Sequence, residues 1–166
     1  MERNGAKSVA LGGVMAALAV VIMCMGGLIP VATYVCPMLC AVLLAVILQF
    51  TGRRIAWAWY AAVSLLSLLL GPDKEAAAVF VFLGYYPIIK PWIDNRKAPF
   101  LWKLLVFNAS IIIMYALLIY LFRLEQVIQD FSDFGLVLTL ITLLFGNVTL
   151  FMLDVLLNRI AKWGKR

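Results

Sequence analysis

The chain of 166 residues contains no histidine. The side chain that most readily changes charge near neutrality is therefore absent. Histidine-dependent metalloprotease, serine-hydrolase and proton-relay sites are excluded with it. Cysteine is scarce, at three residues, so a disulfide scaffold is excluded as well. There is no P-loop, no G-x-S-x-G and no H-E-x-x-H, which removes the common nucleotide-hydrolase, esterase and zincin chemistries. Charged residues amount to only 13%, where a soluble domain has about 25%. Apolar residues fill the space, at 66%. So little polar surface cannot coat a water-soluble globule, and a chain this apolar is not disordered. The composition is that of an integral membrane protein.

A spanning helix needs about 20 mostly apolar residues. Six segments read as spans: 8–25, 36–50, 55–70, 75–89, 99–122 and 134–160. The second, third and fourth are short and need flanking residues, local thinning or burial against neighbours. Thr51–Arg54 and Gly71–Lys74 are tight connections, and Asp73 is a good N-cap for the fourth helix. Pro91–Ala98 joins the fourth and fifth. Arg123–Asp133, the longest polar stretch, joins the fifth and sixth. No soluble domain, linker or repeat interrupts this pattern. The expectation is one all-α domain over 1–166, a bundle of six transmembrane helices. The first run is too long for a signal peptide and lacks a small-residue cleavage site, so it is expected to stay as the first span.

The formal charge of +6 has a topological explanation. With the N-terminus in the cytoplasm, twelve basic residues fall inside: Arg3, Lys7, Arg53, Arg54, Lys90, Arg96, Lys97, Lys103, Arg159, Lys162, Lys165 and Arg166. Only Lys74 and Arg123 fall outside, beside Asp73, Glu75, Glu125, Asp130 and Asp133. The positive-inside rule then puts both termini in the cytoplasm. The charge is not a nucleic-acid signal.

Several residues are candidates for function. Gly12 and Ala16, and Gly13 and Ala17, are each four apart, a small-xxx-small pattern that lets two helices approach closely in lipid. It suits either a partner subunit or packing within the bundle. Gly26–Pro37 interrupts the apolar run with glycines and prolines. It suits either a substrate-covering loop or a hairpin turn with Pro37 opening the second helix. Tyr34 is its one amphipathic side chain. Asn108 and Asn147 sit at mid-bilayer depth, to line a polar pocket or to bond across helices. Both begin N-x-S/T patterns, but inside spans these are not glycosylation sites. Tyr85 and Tyr86 need hydroxyl partners and, with Asp73 and Glu75, could wall a site or simply pack. Asp154 lies seven residues after Asn147 on the same face. Its position near the inner boundary favours a structural ion pair with Arg159, Lys90 or Lys103 over proton coupling. Cys24, Cys36 and Cys40 lack metal-site spacing and read as small hydrophobes.

The basic start, the run Val9–Ala19, the Ile29-Pro30 loop and Pro37 at the second helix carry a family resemblance. In topology and composition the chain resembles the substrate-binding (S) components of energy-coupling factor transporters, bacterial uptake proteins for vitamins and micronutrients. The resemblance covers most of the chain. It implies a docking face for the transmembrane coupling subunit at Gly12, Gly13, Ala16 and Ala17. It also implies an outward-facing substrate site drawn from Tyr34, Tyr85, Tyr86, Asn108 and Asn147. The expected function is therefore capture of a vitamin-like or other small molecule at a bacterial cell membrane, driven by a partner ATPase pair. No enzyme activity, cofactor, metal or nucleic-acid partner is expected. A non-transport scaffold similar to rod-shape-determining proteins is the alternative, and a proton-coupled carrier working through Asp154 the third reading.

Overall fold

A computed structural model describes residues 2–26, 32–120 and 125–163. The Ile29-Pro30 loop, Arg123, Lys165 and Arg166 lie outside the described residues, as do the side chains of Arg3, Lys7, Lys162 and 125–134. The described residues form helices and no strands: α1 (Glu2–Met25), α2 (Ala32–Thr51), α3 (Arg53–Leu70), α4 (Lys74–Leu83), α5 (Tyr86–Asp94), α6 (Pro99–Tyr120) and α7 (Glu125–Trp163). Among the described residues four stretches are long and apolar enough to cross a membrane: Thr33–Thr51, Lys74–Asp94, Pro99–Tyr120 and Leu143–Ala161. Val9–Met25 is apolar but shorter. The fold is that of a helical, multi-pass membrane protein.

α2 is the central element, and its sequence shows why. Cys36, Cys40, Leu44 and Ile47 recur at helical spacing and are buried with Ala19 and Met23 of α1 and Trp59 and Val63 of α3. Ala41 and Ala45 lie on another face and pack with Val79 of α4, Met114 of α6 and Leu153 of α7. A helix that is apolar all round can serve two cores at once, and α2 does so. The α4–α5 span is the most buried of the four, at 61% against 22–39% for the others. Its alanines Ala76, Ala77 and Ala78 let neighbouring backbones come close.

Several boundaries differ from the sequence expectation, each for a local reason. Pro37 does not open α2, which begins at Ala32 and carries Pro37 in its interior. Only the bond that its missing N–H would have made near the helix start is lost. The fourth span is not one helix. It breaks at Gly84–Tyr85, where Pro87 cannot donate a backbone N–H to the carbonyl of Leu83. The chain steps through a tighter turn there, Ile88 N donating to Tyr85 O at 3.0 Å. The stretch from Glu125 onward is helical rather than a loop. Val127, Ile128, Phe131 and Phe134 among its polar residues form an amphipathic pattern that composition alone obscures. Gly135, at φ 44° and ψ −117°, bends α7 just beyond it. Side chains avoid that conformation, and glycine permits it. The α2–α3 turn uses Gly52 in the same way, at φ 85°.

Candidate functional site

Most of the polar side chains gather at the two ends of the bundle, with the pairs Asn108–Asn147 and Tyr85–Ser110 between them. One end collects the N-termini of α2 and α4 and the C-terminus of α6. Asp73 precedes α4, and its Oδ1 accepts the Ala76 N–H at 3.0 Å, the N-cap that the sequence suggested. Its Oδ2 accepts the Thr33 hydroxyl at 2.8 Å, tying α2 to α4. Two residues further on, Glu75 Oε1 accepts the hydroxyl of Tyr115 of α6 at 2.5 Å. The Tyr34 hydroxyl lies 3.0 Å from that of Tyr115. Tyr115 spends its one proton on Glu75, so Tyr34 is the donor to Tyr115. The chain Tyr34 to Tyr115 to Glu75 is thus polarised towards a carboxylate. Lys74, the basic residue at this end among the described residues, turns away. Its Nζ donates to the carbonyls of Leu68 at 2.8 Å and Gly71 at 2.9 Å, closing the C-terminus of α3.

Below the network runs an apolar crevice between α2, α4, α6 and α7. Tyr34, Met38, Val79, Phe107 and Leu150 are among its walls. The space inside it is about 20 Å³, enough for a water molecule and far short of a vitamin.

The opposite end holds a compact charge cluster. Asp154 of α7 accepts from Lys90 Nζ, from the Tyr86 hydroxyl at 2.6 Å and from Lys103 Nζ at 3.1 Å. Asp94 completes it, with Oδ2 3.1 Å from Lys90 and Oδ1 2.6 Å from Lys103. Two lysines and two aspartates balance in charge. Such pairing is what makes charges tolerable near a bilayer interior. The structural ion pair expected of Asp154 is present, with Lys90 and Lys103 as its partners rather than the exposed Arg159. Asp94 was not singled out by the sequence. Its signal was an i,i+4 spacing from Lys90.

The five sequence-derived substrate candidates do not form one site. Tyr34 belongs to the acidic end. Tyr86 is committed to Asp154 at the other. The Tyr85 hydroxyl is 3.2 Å from Ser110 Oγ, and Ser110 in turn donates to Val106 O, so Tyr85 donates to Ser110. Asn147 Nδ2 donates to Asn108 Oδ1 at 3.0 Å across α6 and α7. The two asparagines bond to each other, the interhelical role that was one of their two readings. Glu75, Thr33 and Tyr115 join Tyr34 instead. Tyr115 had no sequence signal beyond being an aromatic near a helix end.

The small-residue face of α1 divides as well. Gly12 is buried, and its carbonyl accepts the Trp59 indole N–H at 3.1 Å. Ala16 packs on the α1–α3 core, whereas Gly13 and Ala17 are exposed with Val14, Leu18 and Val21. Successive residues on a helix point about 100° apart. Gly12 and Gly13 therefore cannot serve the same contact. Cys36 and Cys40 are buried in the core as small hydrophobes, and Cys24 is half-buried.

Comparison of the chain with protein-family models, with curated proteins and with solved structures found no match.

Proposed function

We propose that this chain is a membrane-embedded substrate-binding subunit, similar to the S components of energy-coupling factor transporters. On this reading six segments span the membrane of a bacterial cell and both termini are cytoplasmic. The basic end of the bundle faces inward by the positive-inside rule, and the Thr33–Tyr34–Asp73–Glu75–Tyr115 end faces outward. The one outer cation with a described side chain, Lys74, is consumed as a helix cap, which fits that orientation.

The observation that carries the reading is the meeting of three helices' hydroxyls and carboxylates over an apolar crevice. A few convergent polar groups above apolar walls are the usual makeup of a small-molecule site. The polar groups would hold a hydroxyl- or amine-bearing part of the ligand and the crevice its apolar part. Because the crevice is narrow, binding requires α2 to move apart from α6 and α7. Energy would come from a partner ATPase pair through a coupling subunit that packs on the exposed Gly13 and Ala17 of α1.

The test has two arms. Native mass spectrometry of the purified protein should reveal a retained small molecule, reduced at least tenfold in Tyr115→Phe and Glu75→Gln. Gly13→Leu and Ala17→Leu should leave the isolated protein folded but stop its co-purification with the ATPase and coupling subunits. A protein with no ligand and no such partners refutes the proposal. The narrowness of the crevice favours a second reading, a non-transport scaffold, which would instead pull down cell-wall or division proteins.

A further inference from the structure

The short connection between α5 and α6 carries a feature that the transport reading does not use. The Arg96 guanidinium lies there over two indole rings. Its guanidinium carbon is 4.2 Å from the ring centre of Trp92, at the end of α5, and 5.2 Å from that of Trp102, in the first turn of α6. Both tryptophans are exposed, at 53% and 39%, and so is Arg96. The neighbouring acid does not neutralise it, because both oxygens of Asp94 are taken by Lys90 and Lys103. Among the described residues Arg96 has no carboxylate partner, and Lys97 beside it adds a second exposed cation.

This geometry has a specific chemical consequence. Contact with the ring faces draws on the charge of the guanidinium and takes up no carboxylate or carbonyl partner, so its N–H donors stay available. Paired donors of this kind match two oxygens of one phosphate. Indoles in turn favour the headgroup level of a bilayer, where an apolar ring and a polar N–H are both accommodated. The position fits that level: Arg96 follows the span Lys74–Asp94 and precedes the span Pro99–Tyr120. The adjoining charge cluster is internally balanced, so the net positive charge here rests on Arg96 and Lys97. The geometry points to a binding site for the phosphate headgroup of an anionic phospholipid, built from Arg96 held over the rings of Trp92 and Trp102. Lys97 assists through charge, and the lipid chains run along the exposed Phe100 and Leu101 of α6. The site anchors the α5–α6 corner in the leaflet at the basic end, and it stands whether or not the chain transports anything.

The experiment uses the full chain in nanodiscs of equal phosphatidylglycerol and phosphatidylcholine, with the lipids that stay bound after release counted by native mass spectrometry. Retained phosphatidylglycerol should exceed phosphatidylcholine about twentyfold or more, well above the roughly fivefold that one basic residue gives at an anionic surface by charge alone. Arg96→Gln should bring the ratio down to about fivefold or less, the level that the remaining cations give by charge alone. Arg96→Lys keeps the charge but not the planar guanidinium and should lose most of the preference. Arg53→Gln, a cation at the same end without the indole pair, should leave it intact. Far-ultraviolet circular dichroism identifies any variant that has not folded, and in that case Trp102→Phe, which weakens the ring contact and leaves every charge in place, supplies the comparison. A ratio of about fivefold or less in the native chain overturns the site. So does full selectivity in Arg96→Lys, which would reduce the effect to general surface charge. A third overturning result is Arg96→Gln leaving lipid retention unchanged while weakening co-purification with a membrane partner, which would make Arg96 a protein contact.

Discussion

Replacing Asp154 by alanine should destabilise the bundle more than any surface substitution. The side chain is 19% exposed and that of Lys90 only 10%, so the pair is largely removed from water. Deleting one partner of a buried ion pair costs about 3–5 kcal/mol, because the other charge is left uncompensated. Here the lower end applies, about 3 kcal/mol, since Asp94 stays to serve both lysines but is itself 39% exposed. The balanced cluster becomes one acid facing two lysines, and the Tyr86 hydroxyl loses its acceptor. The double variant Asp154→Ala, Lys90→Met removes the surplus charge and leaves Lys103 paired with Asp94. Its remaining cost is mainly the Tyr86 hydroxyl, about 1–1.5 kcal/mol. The double variant should therefore be more stable than Asp154→Ala alone by about 1.5–2 kcal/mol, a rescue that a mutant cycle isolates. Reversible unfolding in mixed micelles, followed by circular dichroism, measures both. For 166 residues a loss of 3 kcal/mol corresponds to a fall of roughly 6–12 °C in melting temperature. Two results refute the reasoning: an Asp154→Ala protein within 1 °C of wild type, or a double variant less stable than the single.

Two smaller perturbations test the α6–α7 contact. Asn147→Leu removes the bond to Asn108 and should cost only about 0.6 kcal/mol in the same unfolding assay, the mean for interhelical bonds of this kind. A loss above about 2 kcal/mol would mean that the asparagines do more than join two helices. Gly146 faces Ile111, whose Cδ1 would lie 2.5 Å from an added Cβ, with Phe107 Cε1 at 3.4 Å. The end of an isoleucine can swing aside, so Gly146→Ala should cost about 1 kcal/mol and Gly146→Leu about 3 kcal/mol. Equal stability of both variants would show that the contact is looser than described.

The legible part of this protein was the part set by local sums. Membrane residence follows from the apolar excess of each segment. The Asp73 cap follows from a single acid at the start of a helix. The pairing of Asn108 with Asn147 could be anticipated because depth is countable along a helix, and two amides at one depth in lipid have few other partners. Charge asymmetry along the loops depends only on their order. Each of these quantities is additive over neighbouring residues or fixed by distance along the chain.

Azimuth was not legible in the same way. Tyr85 and Tyr86 are adjacent, yet one bonds Ser110 and the other Asp154, because a step of one residue turns the side chain to a different neighbour. Gly12 and Gly13 part for the same reason. Tyr115 meets Glu75 from 40 residues away, and Asp94 joins a cluster whose other members lie on three helices. A helical period fixes which residues share a face, but it leaves open which helix that face meets. The sequence by itself therefore determined an apolar, helical membrane chain. Only the tertiary structure decided that Tyr34, Tyr115 and Glu75 join in a hydroxyl–carboxylate network at one end, and that Lys90, Asp94, Lys103 and Asp154 join in a balanced salt-bridge cluster at the other. Burying a polar group without a partner is costly, and the partners that avoid that cost come from helices that only the packed bundle brings together.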